Sequence, residues 1–221
     1  YTLIDDGWEK QWRDKWNTLK ELCEYARDKD IGVWVWKHSE EIMDSTNNYE
    51  KMRFFLDSVS NAGAVGIKVD FMNGETKEII DFEINLLKKA ARRKLMINFH
   101  GCHAPTGESK TYPNELTREG IRGMELNLMG KPIPAFHNAA LPFTRFVVGH
   151  GDYTPMLFSR PGNTTWAHQL ATAYIFDSPK FCLGEDPRFI LSQQELNPIV
   201  PLLKELPVTW DKTIVLSVSE I

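Results

Sequence analysis

The strongest constraint on this chain is a rhythm. Short apolar runs of strand character recur about every 30 residues, starting at Thr2, Gly32, Gly66, Leu95 and Gly123, and most lead into an amphipathic stretch. A strand, a helix and two turns take about 30 residues, so the rhythm predicts βαβ units. Their crossovers are right-handed and their strands run parallel. The runs at 31–36 and 65–69 alternate little, as expected of strands covered on both faces. Helices are predicted near 15–29, 49–62, 76–93 and 164–176. A fifth strand is predicted at 123–126 with Glu125 inside it. A last short strand is predicted at 181–184, followed by a helix over 191–206 that Pro207 ends.

Two architectures satisfy this rhythm, a (β/α)8 barrel and a doubly wound open sheet. No GxGxxG or Walker sequence follows any run, which weakens the nucleotide-binding sheet. The polar residues favour the barrel, because nearly every strand ends in a functional group: Asp5 and Asp6, Lys37 and His38, Asp70, His100, and Glu125 within the fifth. Barrel enzymes assemble their sites from the C-terminal ends of several strands. The predicted fold is therefore an α/β TIM barrel. The abrupt strand-like start and finish suggest an incomplete one, strands two to eight over 1–207, with 208–221 opening a separate β-domain.

Composition removes other classes. The net charge is −4, without the basic footprint of a nucleic-acid binder, and no apolar run approaches the roughly 18 residues of a membrane span. Cys23, Cys102 and Cys182 lie far apart and form neither a zinc knuckle nor a disulfide framework. The aromatic load suits core packing first and sugar stacking second.

Cleaving a glycosidic bond takes two carboxyl groups, one to protonate the leaving oxygen and one to attack the anomeric carbon or activate water. Asp70 and Glu125 lie two predicted strands apart and can face one barrel mouth. Strand alternation puts Lys68 on the side of Asp70, where a cation keeps a carboxylate ionised. A general acid must carry its proton near neutral pH, and Met124 and Leu126 give Glu125 apolar neighbours. The ordinary alternatives are a capping Asp and a strand Glu paired with Arg122. In Asp5-Asp6-Gly-Trp8 the acidic pair suits sugar hydroxyls, although Asp-Gly is also a common turn. His100 and His103 form a loose H-x-x-H pair that admits a transition metal, with hydroxyl recognition by His100 the favoured reading. Glu119 and Glu125 offer oxygen to a hard cation such as calcium.

Several segments together resemble glycoside hydrolase family 97. They are Ile67-Lys-Val-Asp-Phe-Met, Asn98-Phe-His-Gly, the long run from Tyr112 to Glu125, Gly151-Asp-Tyr-Thr-Pro, His168-Gln-Leu-Ala and Leu206-Pro-Val-Thr-Trp-Asp-Lys-Thr. The run ending at Glu125 is the specific one. The Asp5-Asp6-Gly-Trp8 strand is shared with other α-galactosidase-type barrels.

The resemblance implies a bacterial exo-acting α-glycosidase of the periplasm or the cell exterior. It implies a β-sandwich domain before the barrel, a β-domain after it, and a calcium ion beside the centre. The family's inverting branch carries a Glu base at the position of residue 101 and lacks the Asp at position 70. This chain has Gly101 and Asp70, which points to the retaining, α-galactosidase-type branch. On this resemblance Asp70 is the nucleophile and Glu125 the acid/base, with Glu119 and Glu125 at the calcium and further calcium ligands in the preceding domain. Asp5, Asp6, Trp8, Lys68 and His100 are expected to contact an oligosaccharide or α-galactoside. An α-glucosidase of the same family and a carbohydrate-binding barrel without turnover remain the alternatives.

Overall fold

The computed structural model describes residues 1–208, 210–212 and 214. Five parallel strands pair in chain order: β1 (Thr2–Ile4), β2 (Val33–His38), β3 (Gly66–Asp70), β4 (Met96–Phe99) and β5 (Glu115–Arg118). Between them lie α1 (Trp8–Gln11), α2 (Lys15–Arg27), α3 (Thr46–Asn61), α4 (Lys77–Ala91) and a single-turn α5 (Glu108–Thr111). After β5 come α6 (Ala135–Ala140), α7 (Trp166–Ile175), α8 (Pro187–Ser192) and α9 (Ile199–Glu205), joined by loops and short 3-10 turns. No described helix is long and apolar enough to cross a membrane. The expected β-domain strand at 213–219 lies outside the described residues, Ile214 excepted.

The first four strands and the helices between them fall where the rhythm predicts. Val33 and Val35 of β2, Ile67 and Val69 of β3, and Ile97 and Phe99 of β4 share one apolar cluster with Leu19, Met52, Leu56, Phe82 and Leu86 of the helices. Burying side chains of that size contributes about 1.5–3 kcal/mol each. The opposite face of the same strands is set by register. Trp34 pairs with Gly66 and Gly66 with Met96, Trp36 with Lys68 and Lys68 with Asn98, and His38 with Asp70. Strand side chains alternate, so Trp36, Lys68 and Asn98 form one interior layer and His38 and Asp70 the layer above it. Gly66 is required here because the indole of Trp34 lies against its Cα, where a Cβ would stand.

The fifth strand corrects the prediction. Residues 123–126 are not a strand; Met124–Asn127 is a 3-10 turn, and β5 is Glu115–Arg118. Its sequence is too polar to read as buried, yet Glu115 and Arg118 are 3% and 0% exposed. They neutralise each other, with the Arg118 Nε donating to Glu115 Oε1 at 2.6 Å, and Arg118 Nη2 reaches Glu83 Oε2 of α4 at 3.3 Å. Buried charge of this kind persists only when paired. Residues 181–184 are also not a strand, and no strand follows β5 among the described residues. The stretch 151–158 is buried throughout and runs beside β5, the Asp152 amide donating to the Arg118 carbonyl. The predicted helix over 191–206 is broken into α8, a 3-10 turn and α9.

Candidate active site

At the C-terminal ends of the strands lies a cavity of about 330 Å³ lined by Asp5, Asp6, Lys68, Asp70 and Glu125, with Trp36, Thr154 and Cys182 among its other walls. That volume is in the range of small-ligand pockets. Five of the predicted site residues therefore meet in one hollow.

Asp70 ends β3 and is fixed through both oxygens. The Phe71 amide donates to Oδ1 at 2.7 Å and the Trp36 indole N–H to Oδ2 at 3.1 Å. The chain turns sharply there, with Phe71 at φ 65° and Asn73 at φ 53°, a region non-glycine residues enter at a cost of about 1–2 kcal/mol. Such strain concentrates at functional sites. Gly101 holds the turn from the next strand. Its carbonyl accepts from the Asn73 amide at 2.8 Å, and its own amide donates to Glu119 Oε2 at 2.8 Å.

Lys68 is 2% exposed and stands on the floor of the cavity. Its ammonium donates to Asp5 Oδ2 at 3.1 Å and to Glu125 Oε1 at 3.4 Å. Burial alone would lower its pKa, but Glu125, Asp5 and Asp70 together outweigh burial and raise it. The lysine is thus a fixed cation among three carboxylates. Glu125 also accepts from the Thr154 hydroxyl at 3.2 Å.

Beneath the cavity lies a second polar group. His100 Nε2 meets Asp152 Oδ2 at 3.0 Å, and the Asn98 side-chain amide donates to the same oxygen at 2.6 Å. Burial would raise the Asp152 pKa, but His100, Lys180 and Asn98 hold it well below the usual carboxylate range. Burial would lower that of His100, and Asp152 reverses the effect and raises it. Glu119 is raised chiefly by burial, partly offset by His100 and the Gly101 amide.

Ligand atoms of His100, Glu119 and Glu125 come within 4.8 Å of one another. The two carboxylates fit a hard cation. The imidazole is the poorer match, because calcium prefers oxygen ligands; Asp152 engages its Nε2, and its Nδ1 lies 3.8 Å from Glu119 Oε2.

Two site expectations are corrected, those for Trp8 and His100. Trp8 belongs to the core: it is 2% exposed, packs edge-on against Trp12 and Trp16, and donates its indole N–H to the Trp36 carbonyl at 2.9 Å. It borders only a separate hollow of about 130 Å³. His100 is 1% exposed and absent from the cavity wall, so it supports the site from behind. His103 forms no metal pair with it, since its Nε2 faces Glu83 Oε2 at 3.0 Å. Lys37, at the end of β2, also turns outward to Glu9 at 2.6 Å and to Glu41.

Trp36, Thr154 and Asp152 were not anticipated. Trp36 carried a usable signal, since alternation and its register with Lys68 place it on the interior face. Thr154 and Asp152 lie in an irregular segment without periodicity, where the family-like run Gly151-Asp-Tyr-Thr-Pro is the signal that could have found them.

A family model described as glycoside hydrolase 97 matches residues 1–121. The chain is 30% identical over 226 residues to a protein named probable retaining alpha-galactosidase from Streptomyces bingchenggensis, covering 96% of this chain and 34% of that protein. It is 30% identical over 241 residues to the retaining alpha-galactosidase of Bacteroides thetaiotaomicron, covering 98% and 34%. It thus spans about a third of the length of these relatives. Among solved structures it resembles a beta-arabinopyranosidase, with TM-score 0.76 and 26% identity, covering 95% of this chain and 36% of that one. It also shares its fold with a glycoside hydrolase family 97 enzyme from Pseudoalteromonas sp. strain K8 solved with panose, with TM-score 0.76 and 24% identity, covering 91% and 34%.

Proposed function

The chain belongs to glycoside hydrolase family 97, and on that premise we propose that it carries the catalytic centre of a retaining α-galactosidase. The observation that carries this reading is the junction of Asp70 with Gly101. Asp70 and Glu125 line one hollow, the two-carboxylate arrangement of glycosidases. A Cβ on Gly101 would stand 2.9 Å from the Phe71 nitrogen and 3.1 Å from Asp70 Oδ1. Little room is left beside Asp70 for a second side chain at position 101, which supports the reading, taken from the family resemblance, in which Asp70 itself attacks. The two relatives described above are named probable retaining alpha-galactosidase and retaining alpha-galactosidase.

In this mechanism Asp70 attacks the anomeric carbon while Glu125 gives its proton to the departing oxygen. The Trp36 indole and Phe71 amide aim the attacking carboxylate. Glu125, now a base, takes a proton from water, whose oxygen displaces Asp70 and restores the α configuration. Lys68 keeps Asp5 and Glu125 in place and limits the repulsion among the acids. Asp5 and Asp6 accept from sugar hydroxyls. Glu119 and Glu125 would hold a calcium ion, which needs further oxygen ligands to reach the usual six to eight. When bound, it would supply positive charge for orienting substrate oxygens.

The test is chemical rescue. Asp70→Ala should lose hydrolysis of p-nitrophenyl α-galactoside and regain turnover in azide, which enters the vacated space and gives β-galactosyl azide. β-Galactose as the first product of the unaltered protein would refute retention, and a preference for p-nitrophenyl α-glucoside would refute the sugar.

A further inference from the structure

Trp36 touches the attacking carboxylate, and the contact has a consequence beyond aim. The residue lies on the interior face of β2, in register with Lys68 and one layer below Asp70. Its indole N–H donates to Asp70 Oδ2 at 3.1 Å. Among the described residues no other side chain donates to that carboxylate; its second bond comes from the Phe71 backbone amide. The donor is held from behind. Trp36 is 6% exposed, and its ring meets those of His38 and Phe71 edge-on at 6.0 and 6.2 Å. Its carbonyl accepts the Trp8 indole N–H at 2.9 Å, and Trp8 is packed between Trp12 and Trp16. A chain of two indoles thus runs from the core to the nucleophile.

A hydrogen bond to an ion is roughly twice as strong as one to a neutral acceptor. Asp70 is an ion in the free enzyme and a neutral ester in the glycosyl-enzyme. In the first step its oxygen bonds the anomeric carbon, and the leaving oxygen departs with the proton of Glu125. Asp70 loses its charge, so the indole bond weakens along this step and gives attack no help. In the second step a water oxygen bonds the anomeric carbon and Glu125 takes the water's proton. The electron pair of the breaking C–O bond returns to Asp70. Charge reappears beside the indole, and its bond strengthens as the ester breaks. Donors aimed where charge develops lower the barrier of the step that develops it.

We propose that Trp36 is a catalytic residue of the second step: its indole N–H stabilises Asp70 as a leaving group and keeps the galactosyl-enzyme from accumulating. This rests on the assignment of Asp70 as nucleophile. Trp8 is a positioning residue that acts through Trp36.

The test uses 2,4-dinitrophenyl α-galactoside, whose leaving group departs with little help from an acid, so that breakdown of the galactosyl-enzyme limits turnover. Trp36→Phe keeps an aromatic ring and removes the N–H. Its kcat and KM should fall together by about tenfold, the scale of one hydrogen bond to a charged group, with kcat/KM within about threefold of the parent. Methanol, which captures the galactosyl-enzyme, should raise the kcat of the variant. Trp8→Phe loosens the donor without removing it and should shift both constants together by about threefold; it decides by the same criterion if Trp36→Phe does not fold. A kcat equal to the parent's overturns the proposal. So does a fall in kcat/KM of about tenfold at unchanged KM, or an inactive variant that forms no galactosyl-enzyme by mass spectrometry, since either makes the indole a structural support. A parent that hydrolyses no α-galactoside overturns the functional reading, and the role of Trp36 with it.

Discussion

Replacing Gly101 with alanine tests how the strands are joined at the site. Gly101 sits at φ 55°, and moving any other L-residue into that region costs about 1–2 kcal/mol. The added methyl group would also stand 2.9 Å from the Phe71 nitrogen and 3.0 Å from its Cα. These are backbone atoms of a residue already at φ 65°, so no side-chain rotation relieves the contact. Overpacking of this sort adds about 1–3 kcal/mol. The sum, about 2–5 kcal/mol, should lower Tm by roughly 5–15 °C for a domain of this size.

The functional effect should exceed the loss of stability. The atoms that must move carry the amide that donates to Asp70 Oδ1, and Gly101 itself holds Glu119. Displacing a reacting group by about 1 Å costs on the order of 10²-fold in rate, so kcat on p-nitrophenyl α-galactoside should fall by about that factor well below the variant's Tm. A variant with unaltered Tm and kcat would refute the steric argument, and with it the claim that little room is left at position 101 for a second side chain.

Two further perturbations probe the charges. Lys68→Met removes the cation shared by Asp5 and Glu125 and should lower kcat/KM by about 10²-fold, the scale of losing one fixed electrostatic partner; a loss under threefold would show that the lysine is structural ballast. Because the folded pKa of Lys68 lies above its ordinary 10.5, the stability it lends is complete below that value and is lost only as pH rises through the raised one. The stability difference between variant and parent should therefore be flat from roughly pH 5 to 9 in urea titrations. Asp152→Asn acts at the other end of the scale. The folded pKa of Asp152 is depressed below its ordinary 3.8, so its contribution is present above that value and fades as pH falls through the depressed one. The gap between parent and variant should be wide at pH 6 and narrow steadily below about pH 4, and a gap of constant width would remove Asp152 as the partner of His100.

What the sequence made legible follows the physics of strands. Lys68 and Asp70 were readable because alternation is strict: once Ile67 and Val69 face the helices, the residues between and after them must face the interior. The same logic applied to β2 gives Trp36, since Val33 and Val35 pack outward with the helices. Trp8 was misplaced because a glycine-led turn after β1 swings the chain back toward α2, and a large indole there gains more from burial beside Trp12 and Trp16 than from exposure. His100 was placed on the right side of the sheet but at the wrong depth. Its carboxylate partner, Asp152, comes from a segment 52 residues away that no local pattern connects to β4.

The fifth strand shows where hydropathy stops being a guide. Glu115-Leu-Thr-Arg118 reads as a polar loop one residue at a time, because each charge taken alone would be expelled from a core. The pairing of Glu115, Arg118 and Glu83 makes burial possible, and it depends on α4 and β5 already being adjacent. The error then propagates. With β5 displaced to 123–126, Glu125 seems to need strand geometry to reach the mouth, when in the structure a 3-10 turn carries it there and Glu119, directly after β5, takes the strand-end position. That exchange puts both acids at one end of the sheet by different routes, a strand end for Glu119 and a turn for Glu125. The acid that must change protonation state thus sits in a turn, close in sequence to Leu128 and Met129, which line the same cavity. The acid that anchors Gly101 sits on the sheet.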